Sequence, residues 1–237
     1  MALELKNTKD LLNDPRIREP WPDNWVNWIE PFSERLLDEL ERLIYTSRDE
    51  RPIQEFLKDH PYVLATALYP HNCWIFPHPR LGGGQHIPDF LYCDRNSLGF
   101  RYRLVELESP TLRALNQDQS VSAGTHHAVQ QIQDYQGWLR ANALAEQRQF
   151  PEISERCEGY IIIGRAEDGR NEDGQRRLAD LRQSHIEVAS YDRLLAEARN
   201  HFRHLQAGQK QAKKTAKKLK KALRKKRKYV AIKKRKR

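Results

Sequence analysis

The sequence predicts an α/β protein: a mixed central sheet flanked by helices, with a helical N-terminal arm and a basic C-terminal tail. Three observations predict it. Residues 87–92 and 100–108 read as the two arms of a β-hairpin, with the turn-forming run Asp94-Arg95-Asn96-Ser97 between them. Helix-like and strand-like segments then alternate, which adds parallel strands to the hairpin. Basic charge is concentrated at the C-terminal end.

The elements follow in order. Residues 1–45 form the arm. Trp21, Trp25 and Trp28 recur there at helical spacing ahead of Pro31. They suit a base-stacking platform or, the favoured reading, an aromatic face docked on the core. Phe32, Leu36, Leu37, Leu40 and Ile44 share one helical face. Residues 46–205 form the main domain. Asp49 is the N-cap candidate of its first helix, and Pro52 sits in the first turn, where a missing N–H costs nothing. Ile53, Phe56, Leu57 and His60 follow at i, i+3, i+4 and i+7. Pro61 marks an irregularity before 62–68. A short strand over 73–76 and a turn over 81–85 precede the hairpin. Residues 109–125 read as a polar loop, and 126–140 as a helix. Strands over 159–164 and 186–189 alternate with helices over 172–183 and 191–202.

Residues 206–237 form the tail, helical or disordered. The chain of 237 residues has a net charge of +10 from 42 Lys and Arg against 32 Asp and Glu. From residue 210 onward there are 17 Lys or Arg and no acid, so the remainder holds 25 basic against 32 acidic residues, a net of −7. Between Lys58 and Lys210 every basic residue is an arginine or a histidine. In the tail Ala212, Ala216, Leu219, Ala222 and Leu223 draw a thin apolar stripe on a basic helix. That composition suits phosphate binding by Lys213, Lys214, Lys217, Lys218, Lys220, Lys221, Arg224, Lys225, Lys226, Arg227 and Lys228, without sequence preference. A membrane surface fits less well, because the first three turns of the stripe lack Trp, Phe and Ile. An acidic body and a basic tail also allow self-association as a homo-oligomer.

Other classes are excluded. No run approaches the ~20 apolar residues that span a bilayer, and the N-terminus has no apolar signal region. Cys73, Cys93 and Cys157 make neither a disulfide framework nor a metal knuckle. A cytoplasmic location is expected. His126-His127 and His201-x-x-His204 lack a cysteine or acid at zinc spacing and are set aside.

Three acids carry the chemistry. Asp89 follows Pro88 at the first arm of the hairpin, and Glu106 and Glu108 lie in the second. A strand has period two, so Glu106 and Glu108 face one side, roughly 6–7 Å apart. If the hairpin pairs, Asp89 shares that face. Carboxylates crowded on an apolar strand pair repel one another, and a hard divalent cation neutralises them. On periodicity alone the plainer reading stands ahead: two solvent-facing residues of a half-exposed strand. Gln131 and Tyr135 then share a helix face at i and i+4, where the amide suits a water or phosphate oxygen and the phenol suits stacking on or donating to a nucleic-acid backbone; taken singly, ordinary helix-surface groups are the favoured reading.

The order Pro88-Asp89, Glu106-Leu107-Glu108, Gln131-x-x-x-Tyr135 resembles the PD-(D/E)XK nuclease superfamily with the helix motif of its RecB-like branch. The segments at 55–61, 160–165 and 190–195 are similar to those flanking that core in Shedu-type anti-phage defence nucleases, over roughly residues 45–200. The resemblance implies a PD-(D/E)XK-like sheet and a bacterial DNA endonuclease dependent on Mg²⁺ or Mn²⁺. Asp89, Glu106 and Glu108 would be metal and catalytic residues, Gln131 and Tyr135 active-site helpers, and Glu50 a further acid. Two residues after Glu106, where the pattern has lysine, this chain has Glu108. Some members of the superfamily use glutamate there, as a general base or for a second metal. Arg80, Arg101 or Arg103 could supply positive charge in the lysine's place, although arginine is a poor proton acceptor, and Lys58 lies on an earlier helix. The alternative is a non-catalytic nucleic-acid-binding protein on a degenerate nuclease fold.

Overall fold

A computed structural model describes residues 15–26, 32–68, 72–165 and 172–235. Three helices come first: α1 (Glu34–Thr46), α2 (Arg51–Asp59) and α3 (Pro61–Leu68). Ser33 caps α1 by accepting from Leu36 N at 3.2 Å, and Leu36, Leu37, Leu40 and Ile44 are its buried face, as the spacing predicts. Glu50, not Asp49, is the N-cap residue of α2. Asp49 instead accepts from Arg51 N at 3.1 Å, and Pro52 keeps its place in the first turn.

The sheet has five strands in sequence order: β1 (Cys73–Pro77), β2 (Phe90–Asn96), β3 (Gly99–Leu107), β4 (Glu158–Ile162) and β5 (Ile186–Ala189). β1, β2 and β3 are antiparallel, while β3, β4 and β5 are parallel, so the sheet is mixed as expected. The hairpin turn is tighter than predicted. Asp94, Arg95 and Asn96 are ladder residues, and only Ser97-Leu98 separates the arms. Gly99 takes the positive φ of 118° that this short connection requires. Ile87, Pro88 and Asp89 fall outside the ladder, just before β2.

α4 (Ala123–Glu146) is longer than predicted, because Ser122 starts it by accepting from Thr125 N at 3.1 Å. Its buried residues Ala128, Ile132, Tyr135 and Leu139 share a core with Leu91, Leu104 and Ile161. Gly159 on β4 permits the close approach: a Cβ there would stand 2.7 Å from Ile132 Cγ2. On the other sheet face, Phe90, Tyr92, Val105, Tyr160 and Ile162 are buried, and Arg103 donates to Leu68 O at the end of α3. Trp21 and Trp25 pack against the core, Trp21 edge-on to Trp74 and Phe76. The favoured docking reading holds for both; Trp28 lies outside the described residues.

α5 (Glu172–Gln183) and α6 (Tyr191–Arg235) complete the chain. The chain divides into a compact unit over Met1–Ala198 and a second over Arg199–Arg237. The second unit is helical through Arg235, with Lys213, Lys214 and Lys218 exposed. The side chains of Lys217, Lys220, Lys221, Arg224, Lys225, Lys226, Arg227 and Lys228 lie outside the described residues. Among the described residues no helix is long and apolar enough to cross a membrane.

Candidate carboxylate site at the end of the hairpin

The register of the hairpin builds the site. Phe90 pairs with Val105, so Asp89 and Glu106 face each other one step beyond that pair, on the side of the sheet that α4 covers. Here Asp89 leaves the ladder and its side chain takes over. Oδ2 accepts from Leu107 N at 2.7 Å. Oδ1 accepts from Gln54 Nε2 on α2. Each oxygen of Asp89 therefore has a donor.

Glu106 is only 5% exposed, and its Oε1 is buried without a hydrogen-bond partner. Burial pushes its pKa up to about 8, and the Asp89 and Glu108 charges push the same way. The Tyr135 hydroxyl and the backbone at Asp89 act in the opposite direction. Asp89 rises less, to about 6: burial raises it, Glu50 and Glu108 add to the rise, and its Leu107 and Gln54 donors oppose it. Burial also raises the Tyr135 and Tyr191 hydroxyls, helped by the surrounding carboxylates, so both stay protonated donors at neutral pH.

Glu108 lies just past β3. Its N–H donates to Ile162 O at 2.9 Å, and Tyr191 Oη donates to its carbonyl at 2.8 Å, so the backbone is fixed on both sides. Its Oε1 lies 3.2 Å from His127 Nδ1. Burial raises its pKa, His127 lowers it, and Glu50 raises it further.

The structure brings together Asp89, Glu106 and Tyr135, with the Glu50 and Glu108 charges acting on the same group. Gln131 is half-buried one turn before Tyr135, and no hydrogen bond joins it to the acids among the described residues. The three acids predicted as a metal set do not close into one cluster. Among the described residues no group of three or more His, Cys, Asp and Glu forms a metal-holding set. Glu108 lies against His127, which is exposed. Asp89 and Glu106 nevertheless fit a hard divalent cation. Mg²⁺ commonly takes one or two carboxylates and fills its other positions with water and phosphate oxygens. The bare Oε1 of Glu106 is the oxygen such an ion would satisfy.

Of the cations considered from sequence, Arg101, Arg103 and Lys58 are paired elsewhere. Arg101 bonds Asp94 through two nitrogens at 3.0 and 2.9 Å. Arg103 pairs with Glu158 at 2.6 Å, and Arg80 is exposed. Lys58 pairs with Glu55 at 3.3 Å on an exposed face. Two residues at the site were missed. Gln54 is one turn after Glu50 on α2, and that i, i+4 spacing was the available signal. His127 was weighed only as a zinc ligand.

No curated protein matches the chain. The model of the family described as Shedu protein SduA, C-terminal, matches residues 47–195, from just before α2 into the first turn of α6. That span is more than half of the chain and contains every acid of the site, and the chain belongs to this family.

Proposed function

We propose that this protein is a divalent-metal-dependent DNA endonuclease of the PD-(D/E)XK type, acting in Shedu-type anti-phage defence. One observation carries the reading: a carboxylate oxygen of Glu106 is buried without a partner, and the charge of the half-buried Asp89 acts on the same carboxylate. Such a pair is costly in an apolar setting unless a cation joins it.

Asp89 and Glu106 would hold Mg²⁺ or Mn²⁺. The ion, when bound, supplies charge stabilisation to a phosphodiester and acidifies water. The chain's own groups do the rest. Glu108, oriented by His127, accepts a proton from the attacking water. The Tyr135 hydroxyl donates beside Glu106, and Gln131 offers an amide to a phosphate oxygen. The lysines and arginines of the tail hold the DNA backbone without reading its sequence.

The test is plasmid cleavage by the full chain with Mg²⁺ or Mn²⁺. Asp89→Ala and Glu106→Ala are each expected to lower the rate at least about a hundredfold, the scale of losing a main source of charge stabilisation. Cleavage that survives both substitutions sinks the proposal. Glu108 in place of the motif lysine favours a second reading, a non-catalytic nucleic-acid-binding protein. Binding without cutting, unaffected by metal and weakened by salt and by deletion of 210–237, would establish that reading instead.

A further inference from the structure

We propose that Gln54 is a positioning residue for Asp89: its amide holds the carboxylate in the orientation from which Asp89 binds a divalent cation together with Glu106. The inference rests on the metal-site reading above and adds a residue to it.

The two oxygens of Asp89 are held from two directions. Leu107 N, at the end of β3, donates to Oδ2 at 2.7 Å, and Gln54 Nε2, on α2, donates to Oδ1. Two donors from separate elements stop the carboxylate from rotating, and each oxygen keeps a lone pair for another ligand. The Leu107 donor is backbone and survives every substitution but proline. Gln54 is therefore the part of this clamp that the sequence controls.

α2 gives the amide a rigid base. Ile53 and Leu57 are fully buried and Phe56 nearly so, which anchors the helix on both sides of Gln54. Glu106 makes the contrast, since its Oε1 has no donor at all. A lysine or arginine at position 54 would also orient Asp89, but its charge would repel the dication. A neutral amide orients the carboxylate and leaves its negative charge available. Among the described residues, the groups that act most strongly on Asp89, Glu106 and Glu108 are carboxylates, hydrogen-bond donors and His127.

Partners that orient metal ligands typically contribute 10–100-fold to metal affinity. The test is calorimetric titration of Mn²⁺ into the full chain without DNA, for the unaltered protein and for Gln54→Met. Methionine keeps the length of the side chain and removes the donor. The expected result is at least tenfold weaker Mn²⁺ binding by a variant that still unfolds cooperatively in the absence of metal. Equal affinity overturns the role of Gln54 and leaves the metal site standing. No uptake by the unaltered protein overturns the metal site and this inference together. If Gln54→Met does not fold, Gln54→Asn tests the same contact. It keeps the amide one methylene short and is expected to weaken Mn²⁺ binding; unchanged affinity there also overturns the role.

Discussion

One β-hairpin buries an acid at each end, and the two ends are treated differently. Asp94 on β2, 6% exposed, is bonded by the Arg101 guanidinium through both oxygens and has the Tyr92 hydroxyl at 3.4 Å. Glu106 near the end of β3 is as deeply buried, pairs with no cation among the described residues, and has one oxygen without a partner. Arginine is the side chain suited to a buried carboxylate, because its fork satisfies both oxygens at once. Its use at one end and absence from the other, within the same two strands, separates an acid held by a cation from one that is not. Burial alone does not make that distinction; compensation does.

The largest effect this contrast predicts is a pH dependence of stability carried by Glu106. An acid whose folded pKa is raised binds more protons when folded than when unfolded. Stability is then greatest below the unfolded pKa, near 4.5, and is lost as pH rises toward the folded pKa of about 8. The full loss is at most about 5 kcal/mol. Urea unfolding of Glu106→Gln, compared with the unaltered protein from pH 4 to 9, should show the two curves diverging through that window, the variant being more stable at the alkaline end. Parallel curves would mean that Glu106 is compensated after all. The same charge relief is what a bound dication would provide, so Mn²⁺ should narrow the gap.

The structural end of the hairpin predicts a smaller effect of opposite kind. Asp94→Ala removes the acceptor of two guanidinium bonds, but Arg101 is half-exposed and can turn to water. The expected cost is about 1–2 kcal/mol in urea unfolding. Mn²⁺ affinity and any cleavage should be unaffected. A loss of metal binding in this variant would erase the distinction between the two ends.

Much of the fold was legible because it rests on local signals. The α1 stripe of Leu36, Leu37, Leu40 and Ile44, Pro52 in the first turn of α2 and the alternation after the hairpin each point to one structure. The exact turn was not, since Asp94-Arg95-Asn96-Ser97 has turn chemistry, yet pairing with Gly99, Phe100 and Arg101 keeps the first three residues in strand. At the site, period two placed Asp89, Glu106 and Glu108 near one another. It said nothing of what each carboxylate would touch. Gln54 reaches Asp89 across 35 residues and His127 reaches Glu108 across 19, and no local pattern encodes such contacts. Arg101 and Arg103 are close to the acids in sequence, but the strand register gives each its own partner.

The smallest expected effect concerns the missing lysine. Lys58 is the one lysine between residue 10 and residue 209, so within residues 47–195 it is the lysine available to serve in place of the ammonium that the proposed motif would have. Its Nζ pairs with Glu55 three residues earlier, and both side chains are largely exposed. Exposed pairs of this kind contribute roughly 0–1 kcal/mol. Lys58→Ala should therefore leave unfolding within about 0.5 kcal/mol of the unaltered protein, and Mn²⁺ affinity and plasmid cleavage unchanged. A marked loss of cleavage with stability intact would mean that the lysine reaches the substrate. The carboxylates would then share their end of the hairpin with a cation, as Asp94 does at the other, and the contrast between the two ends would fail.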